Sequence, residues 1–285
     1  MSASPFNYAF QPNEEVKEGF LRILEEIAQR AGELTRVSSG SMEEPIHDGR
    51  LLIKRLRALL WFARPVLSDE AQARSKTDLR EAAALLGGHR DLAVAQATLK
   101  KLERNASTAA GRTALTQTSR LLGSKAESTE VSEAKFREAL KKAMGILARS
   151  VEELTQNVSQ CDSWPAPFQR VAKATQAQIK AWKKAQRTGD DRDFHTWRKR
   201  AKRLFYQMEL TQSTGRKKSA RSMKRVDQLQ NKLGEYHDDV VVESRLREIA
   251  PPTSSTRRAL KSLDQEKAHL RKKAVKIARK LKGRI

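Results

Sequence analysis

Two segments of the chain place histidine, arginine and lysine at the same intervals. The first reads His-Asp-Gly-Arg-x-x-x-Lys-Arg-Leu from His47, and the second reads His-Thr-Trp-Arg-x-x-x-Lys-Arg-Leu from His195. Arginine presents a planar fork of donors that fits phosphate oxygens, and lysine adds a point charge. Histidine donates from both ring nitrogens once a nearby phosphate favours its cationic form. This set of side chains predicts recognition of an anion that carries phosphates.

If each segment is helical, its cations share one face. At 100° per residue, Arg50, Lys54 and Arg57 fall within about 80° of His47, while Leu56 falls on the opposite, aliphatic face. We call this set the first stripe: His47, Arg50, Lys54 and Arg57. The corresponding residues of the other segment form the second stripe: His195, Arg198 and Lys202. A stripe is roughly 10–15 Å long, which suits several consecutive phosphates better than one.

A second pair of motifs follows the stripes. The sequence Leu-Gly-Gly-His-Arg-Asp from Leu86 returns as Leu-Gly-Glu-Tyr-His-Asp from Leu233, at an offset of 147 residues, which pairs Arg90 with His237. Two ordered motifs at nearly one spacing indicate a tandem duplication of a four-helix unit. The predicted first half, linker and second half are residues 1–158, 159–167 and 168–285.

Helical periodicity extends over most of the chain, and no alternating strand pattern is longer than a few residues, so the predicted class is all-α. Asn13 is the expected N-cap of the first helix, and Asp91 and Asp238 are expected to cap a following helix or to orient a basic side chain. The predicted helices are about 13–37, 46–64, 69–104 with an interruption at 87–88, 107–158 with a break near 123–124, 168–187, 191–212, 216–249 and 254–282.

The charge balance favours a polyanionic partner. The chain has 57 Lys+Arg against 34 Asp+Glu, a formal net charge of +23, and residues 195–225 hold 11 basic residues and one acidic residue. No apolar run approaches the roughly 20 residues of a membrane span. The N-terminus does not have the form of a secretion signal. Cys161 is the only cysteine, which excludes a disulfide framework and fits a reducing cytoplasm.

Catalytic interpretations are weaker. His47-Asp48 and His237-Asp238 are His-Asp pairs of the kind found in metal-dependent phosphohydrolases, but Thr196 replaces the aspartate in the second segment and acidic ligands are scarce around the stripes. The chain contains no Gly-x-Ser-x-Gly motif and no phosphate-binding glycine-rich loop. We therefore predict no catalytic residue, no metal site and no cofactor.

An RNA- or DNA-binding module that uses the same basic faces remains the main alternative. Proteins that bind single strands usually stack bases on aromatic side chains. Aromatic residues are 5% of this chain, and Trp197 and Tyr206, beside the second stripe, are expected to pack rather than to stack bases.

These motifs and their order resemble the CHAD family, the conserved-histidine α-helical domain, over nearly the whole chain. The resemblance implies two similar four-helix bundles related by a pseudo-twofold axis around a basic central groove. It also implies a non-catalytic cytoplasmic protein that binds inorganic polyphosphate and can associate with polyphosphate granules. Phe205 departs from the family pattern, where arginine is frequent. Carried over by motif, the polyphosphate-binding residues are His47, Arg50, Lys54, Arg55, Arg57, Arg90, His195, Arg198, Lys202, Arg203, Tyr206 and His237.

Overall fold

The structure is a computed structural model that describes residues 7–38, 40–87, 90–105, 109–127, 133–212, 217–250 and 253–281. These residues form ten α-helices and one 3-10 turn and contain no strand, so the all-α prediction is confirmed for them. None of the described helices is both long and apolar enough to cross a membrane. The helices are α1 (Val16–Thr35), α2 (Glu43–Ala63), α3 (Asp69–Leu85), α4 (Arg90–Asn105), α5 (Ala109–Glu127), α6 (Glu133–Ser159), α7 (Pro167–Thr188), α8 (Asp191–Leu210), α9 (Lys217–Ile249) and α10 (Ser254–Leu281). The 3-10 turn, Arg64–Val66, follows α2.

Two helix starts differ from the sequence prediction. Asn13 is not the N-cap of α1, because its φ is 64° and the cap position is Glu15, which makes no side-chain cap hydrogen bond. Asparagine tolerates this left-handed conformation better than most residues. The second helix starts at Glu43 and includes Pro45. Proline is compatible with a first helical turn, because the N–H that it lacks would have no acceptor within the helix there.

The repeated Leu-Gly motif has two different structures. Leu86-Gly87 follows the end of α3, and the Gly87 N–H donates to the carbonyl of Ala84 at 3.0 Å. The second copy lies inside the continuous helix α9, so Asp238 does not cap a helix, and its alternative role of orienting a basic side chain stays a prediction. Buried apolar residues continue on both sides of this copy, and packing offsets the low helix propensity of one glycine. The side chain of Asp91 lies outside the described residues.

The chain folds into two compact units, each assembled from three segments. The first unit comprises Met1–Gly88, Val131–Thr175 and Arg203–Met223. The second unit comprises His89–Glu130, Gln176–Lys202 and Lys224–Ile285. Helices α7, α8 and α9 contribute residues to both units. The predicted halves divide the chain by its sequence repeat rather than by contacts, and they remain a prediction, as does their arrangement around a groove.

The core of the first unit forms against the apolar face of α2. Leu56 and Leu59 of α2 are fully buried in a cluster to which α1, α3 and α6 also contribute. The end of this helix has an additional contact. The carbonyl of Trp61 would accept from residue 65, but Pro65 has no N–H, and the Nη2 of Arg170 donates to that carbonyl instead. The first stripe therefore lies on a helix whose opposite face is packed in the core of the first unit.

Among its described residues, the second unit has two groups of buried side chains. Leu99, Leu115, Leu246 and Leu263 belong to a cluster formed by α4, α5, α9 and α10. An aromatic group surrounds Trp197, which is fully buried and 5.7 Å from the ring of Phe194, centroid to centroid. The packing role predicted for Trp197 is confirmed. Its other aromatic members are Trp182 and Tyr236.

We expect Leu56→Ala to lower the free energy of unfolding by about 2–5 kcal/mol, because the change opens a cavity beneath the first stripe. The matched control is Leu85→Ala, since Leu85 is also helical but 36% exposed, and it should cost less than about 1 kcal/mol. Denaturant unfolding followed by circular dichroism measures both. Equal losses for the two variants would contradict the assignment of this α2 face to the core.

Candidate anion-binding site

The second stripe lies on the part of α8 that belongs to the second unit. The carboxylate of Asp190 accepts the backbone N–H of Arg192 at 2.7 Å, and Asp191 and Asp193 favour the helix by lying at the positive end of its dipole. Phe194 and Trp197 bury the inner face of this helix. The helical period then brings the stripe to the partly exposed side, where its members are half-buried: His195, Arg198 and Lys202.

A polar clamp joins α8, α9 and α10 beside this stripe. The Tyr236 hydroxyl of α9 donates to the Asp191 carboxylate of α8. Arg271 of α10 donates to the same carboxylate oxygen at 2.8 Å and to the Tyr236 hydroxyl at 2.9 Å through its Nε. Tyr236 precedes His237 in sequence, and Asp191 lies one helical turn before His195. The hydrogen bond between Tyr236 and Asp191 therefore fixes the position of one histidine relative to the other.

The clamp brings His195 and His237 together. Their ring centroids are 4.6 Å apart and the ring planes are inclined by 42°. The Nδ1 atom of His195 is buried and has no hydrogen-bond partner among the described residues. The sequence assigned both histidines to the site from separate motifs, and the structure brings them into one cluster with Arg198 and Lys202. This set, His195, Arg198, Lys202 and His237, is called the α8–α9 cluster below.

Burial and neighbouring cations lower the pKa of both imidazoles. The pKa of His237 is lowered to about 4, chiefly by burial and then by the charges of Arg198, His195 and Lys202. The pKa of His195 is lowered chiefly by burial and then by the charges of Lys199, Arg198 and Lys202. Apart from burial, the groups that the described part of the chain shows lowering these two pKa values are cations and, for His237, the ring of His195. The cluster is therefore a concentration of positive charge that an anion would stabilise.

The structure adds one residue, Lys199, that the predicted site set left out, and it buries a carboxyl outside the cluster, that of Asp239. Lys199 is exposed, and its positive charge contributes to the lowered pKa of His195. Its place on the basic arc of α8 was visible in the helical projection. Asp239 is 4% exposed, and burial followed by the charge of Glu266 raises the pKa of its carboxyl to about 7. Asp239 lies three residues from both Tyr236 and Val242, so the helical spacing of these buried residues places it on the inner face of α9.

Three other predicted residues lie in the first unit. Arg55 forms an ion pair with Glu209 at 2.7 Å, and its guanidinium lies over the Tyr8 ring at 5.0 Å. The guanidinium of Arg203 lies over the ring of Trp61, 5.2 Å from its centroid, so this cation also packs against a side chain of the first unit. Tyr206 is half-buried and packs edge-on against Phe205. The packing role expected of Tyr206 fits this contact, and its role in binding a ligand remains a prediction.

The first stripe lies along α2 in the first unit. His47 is exposed, whereas Arg50 and Lys54 are half-buried. Arg57 donates from Nη2 to the carbonyl of Leu79 at 2.6 Å, which fixes its guanidinium against α3. The side chain of Arg90 lies outside the described residues.

Metal binding has no counterpart in the described part of the chain. Within those residues, no three His, Cys, Asp or Glu side chains come close enough together to hold a metal ion. The α8–α9 cluster has the opposite character, because forks, point charges and imidazoles suit phosphate oxygens rather than a cation.

We expect an NMR titration of the imidazole protons to place the pKa of His237 near 4, and Arg198→Gln to raise it while leaving it below the ordinary 6.5. Removing this guanidinium removes the largest charge effect but leaves the burial effect. Arg192→Gln is the control, since Arg192 is exposed on the same helix and is not among the groups that act on His237.

The lowered pKa of His237 makes the stability of the fold depend on pH. The unfolded chain binds more protons than the folded chain between pH 4 and 6.5, so the contribution of His237 to stability is lost as the pH falls through that range. His237→Gln should make thermal stability less sensitive to pH there. A wild-type titration midpoint at 6.5 would show that the cluster does not act on this imidazole.

Comparisons with known proteins identify the family. A sequence profile of the CHAD domain matches residues 22–247. The fold is similar to that in the crystal structure of the CHAD domain from the plant Ricinus communis, with a TM-score of 0.68, 19% sequence identity and coverage of 97% of each chain. No curated protein matches the chain. Because the profile covers most of the sequence, the chain belongs to the CHAD domain family.

Proposed function

We propose that the protein binds inorganic polyphosphate without catalysing its turnover, and that the α8–α9 cluster is a principal contact. The observation that carries the proposal is the imidazole pair, with ring centroids 4.6 Å apart, whose pKa values are lowered by burial and then by neighbouring cations. A ligand with closely spaced negative charges would relieve the repulsion at several side chains at once.

The length of the cluster supports a chain of phosphates over a single phosphate ion. His195 and Lys202 are two turns apart, which is about 10 Å along α8. Arginine can take two oxygens of one phosphate through its fork, while lysine and the imidazoles contact neighbouring phosphates. Bound phosphate would also raise the pKa of both histidines, so that binding takes up protons.

Localisation in the cytoplasm and association with polyphosphate granules belong to this proposal. A cytoplasmic polyphosphate chain is long enough to engage several such proteins, which would place them on a granule. Metal-dependent phosphohydrolysis is the least favoured function, because the cluster offers cations where a metal would need carboxylates.

We expect Arg198→Ala with Lys202→Ala to weaken binding of long-chain polyphosphate by tenfold or more, and to reduce the salt slope of the affinity by about two, one unit for each cation removed. Fluorescence anisotropy with end-labelled polyphosphate at several salt concentrations measures both quantities. The control is Arg192→Ala with Lys183→Ala, which removes two exposed cations outside the cluster. Wild-type affinity in the cluster variant would refute the site, and phosphate release with added Mg²⁺, Mn²⁺ or Zn²⁺ would refute the non-catalytic role.

We expect single-stranded RNA to compete poorly with polyphosphate at physiological salt when the two are matched in phosphate count. The cluster has no exposed aromatic platform for bases, because Trp197 is fully buried and Tyr236 is 2% exposed. Displacement of labelled polyphosphate from the wild-type protein measures this preference. Equal competition would move the RNA- or DNA-binding alternative to first place.

A further inference from the structure

From Lys267 onward, the cations of the last helix, α10, fall into two classes. Its inner face is buried along the whole helix and includes Leu270, Ala274, Ala278 and Leu281. The cations closest to this face are paired: Lys267 with the carboxylates of Glu243 and Asp264, and Arg271 with Asp191. These ion pairs belong to the fold of the second unit.

The outer face carries cations of a different kind, which we call the α10 row: Lys272, Lys273, Lys276, Arg279 and Lys280. Every member is exposed, and none forms an ion pair with another described residue. At 100° per residue the five side chains fall within an arc of about 120°, over about 12 Å of helix, opposite the buried residues. No acidic residue occurs between Lys267 and Ile285 to neutralise them.

The chemistry of this face disfavours two kinds of partner. Helices that bind membranes bury an apolar face in the lipid, but the apolar face of α10 is already buried in the protein. Proteins that bind single-stranded nucleic acids stack bases on aromatic rings, and the sequence of α10 contains no Phe, Tyr or Trp. The α10 row is a set of exposed cations on one helix face, and it matches a rigid surface that carries phosphates at regular intervals.

We propose that the α10 row binds the phosphate backbone of a double-stranded nucleic acid without reading its sequence. A duplex presents its charges on the outside of a stiff rod, so a convex row of lysines can reach several phosphates without enclosing the ligand. The row is separate from the α8–α9 cluster, because Arg271, which joins α10 to α8, lies outside the arc of the row. The inference therefore does not depend on polyphosphate binding.

The test replaces all five residues of the α10 row with glutamine, which keeps helix propensity and length. Binding of a labelled DNA duplex of about 20 base pairs and unrelated sequence is measured by fluorescence anisotropy over a range of salt concentrations. We expect at least a tenfold loss of affinity at low salt and a decrease of about three to four in the salt slope. Polyphosphate affinity should change by less than about threefold.

A matched control shows whether the position of the removed cations matters or only the total charge. Replacing five exposed cations elsewhere with glutamine removes the same charge: Arg36, Arg74, Lys76, Lys141 and Arg149. This control should keep most of the duplex affinity, and a loss equal to that of the row variant would overturn the proposal. Circular dichroism and thermal unfolding verify that both variants are folded.

A second variant distinguishes the two binding surfaces. Arg198→Ala with Lys202→Ala should retain duplex affinity within about threefold while it loses polyphosphate. If this variant loses both ligands together, the duplex binds at the α8–α9 cluster and the assignment to α10 is wrong. If the row variant retains full duplex affinity, the assignment is also wrong. Failure of polyphosphate binding in the wild-type protein would leave the duplex measurement unaffected.

Discussion

Repulsion among like charges is the constraint on which the candidate site depends. Arg198, Lys199 and Lys202 lie within five residues of one helix, next to two imidazoles whose pKa values are lowered by burial and by these cations. Like charges at i and i+4, as in Arg198 and Lys202, disfavour a helix. This arrangement is held by buried aromatic packing on the inner face of α8 and by the carboxylate of Asp191, which joins Tyr236 and Arg271 below the cluster.

The same constraint explains where the acidic residues are used. Glu209 pairs with Arg55 in the first unit, and Glu243 pairs with Lys267 in the second. Both pairs are largely shielded from solvent, where an unpaired charge would be costly. Carboxylates thus neutralise cations that the fold brings inward, and they also pair with some exposed cations, such as Lys142 and Arg245. A protein arranged in this way attracts polyanions before any specific contact forms.

Much of the fold could be predicted because its signals are local. The all-α class follows from the spacing of apolar residues, and most helix limits lie within a few residues of the predicted ones. The exceptions depend on contacts that no local pattern contains. Asn13 has the composition of a cap but takes a left-handed conformation. Gly234 repeats the interruption after α3 in sequence, yet α9 continues through it because its neighbours remain buried.

The sequence by itself determined the helical class, the repeated motifs, the family and the types of side chain that suit phosphate. Only the tertiary structure decided which of those side chains meet. His195 and His237 are 42 residues apart and become neighbours through the packing of α8 against α9. Arg55 has the same motif position as Arg203, but one pairs with Glu209 and the other lies over Trp61. The physical reason is that charge and periodicity are properties of each segment, whereas desolvation and Coulomb energy depend on distances between segments.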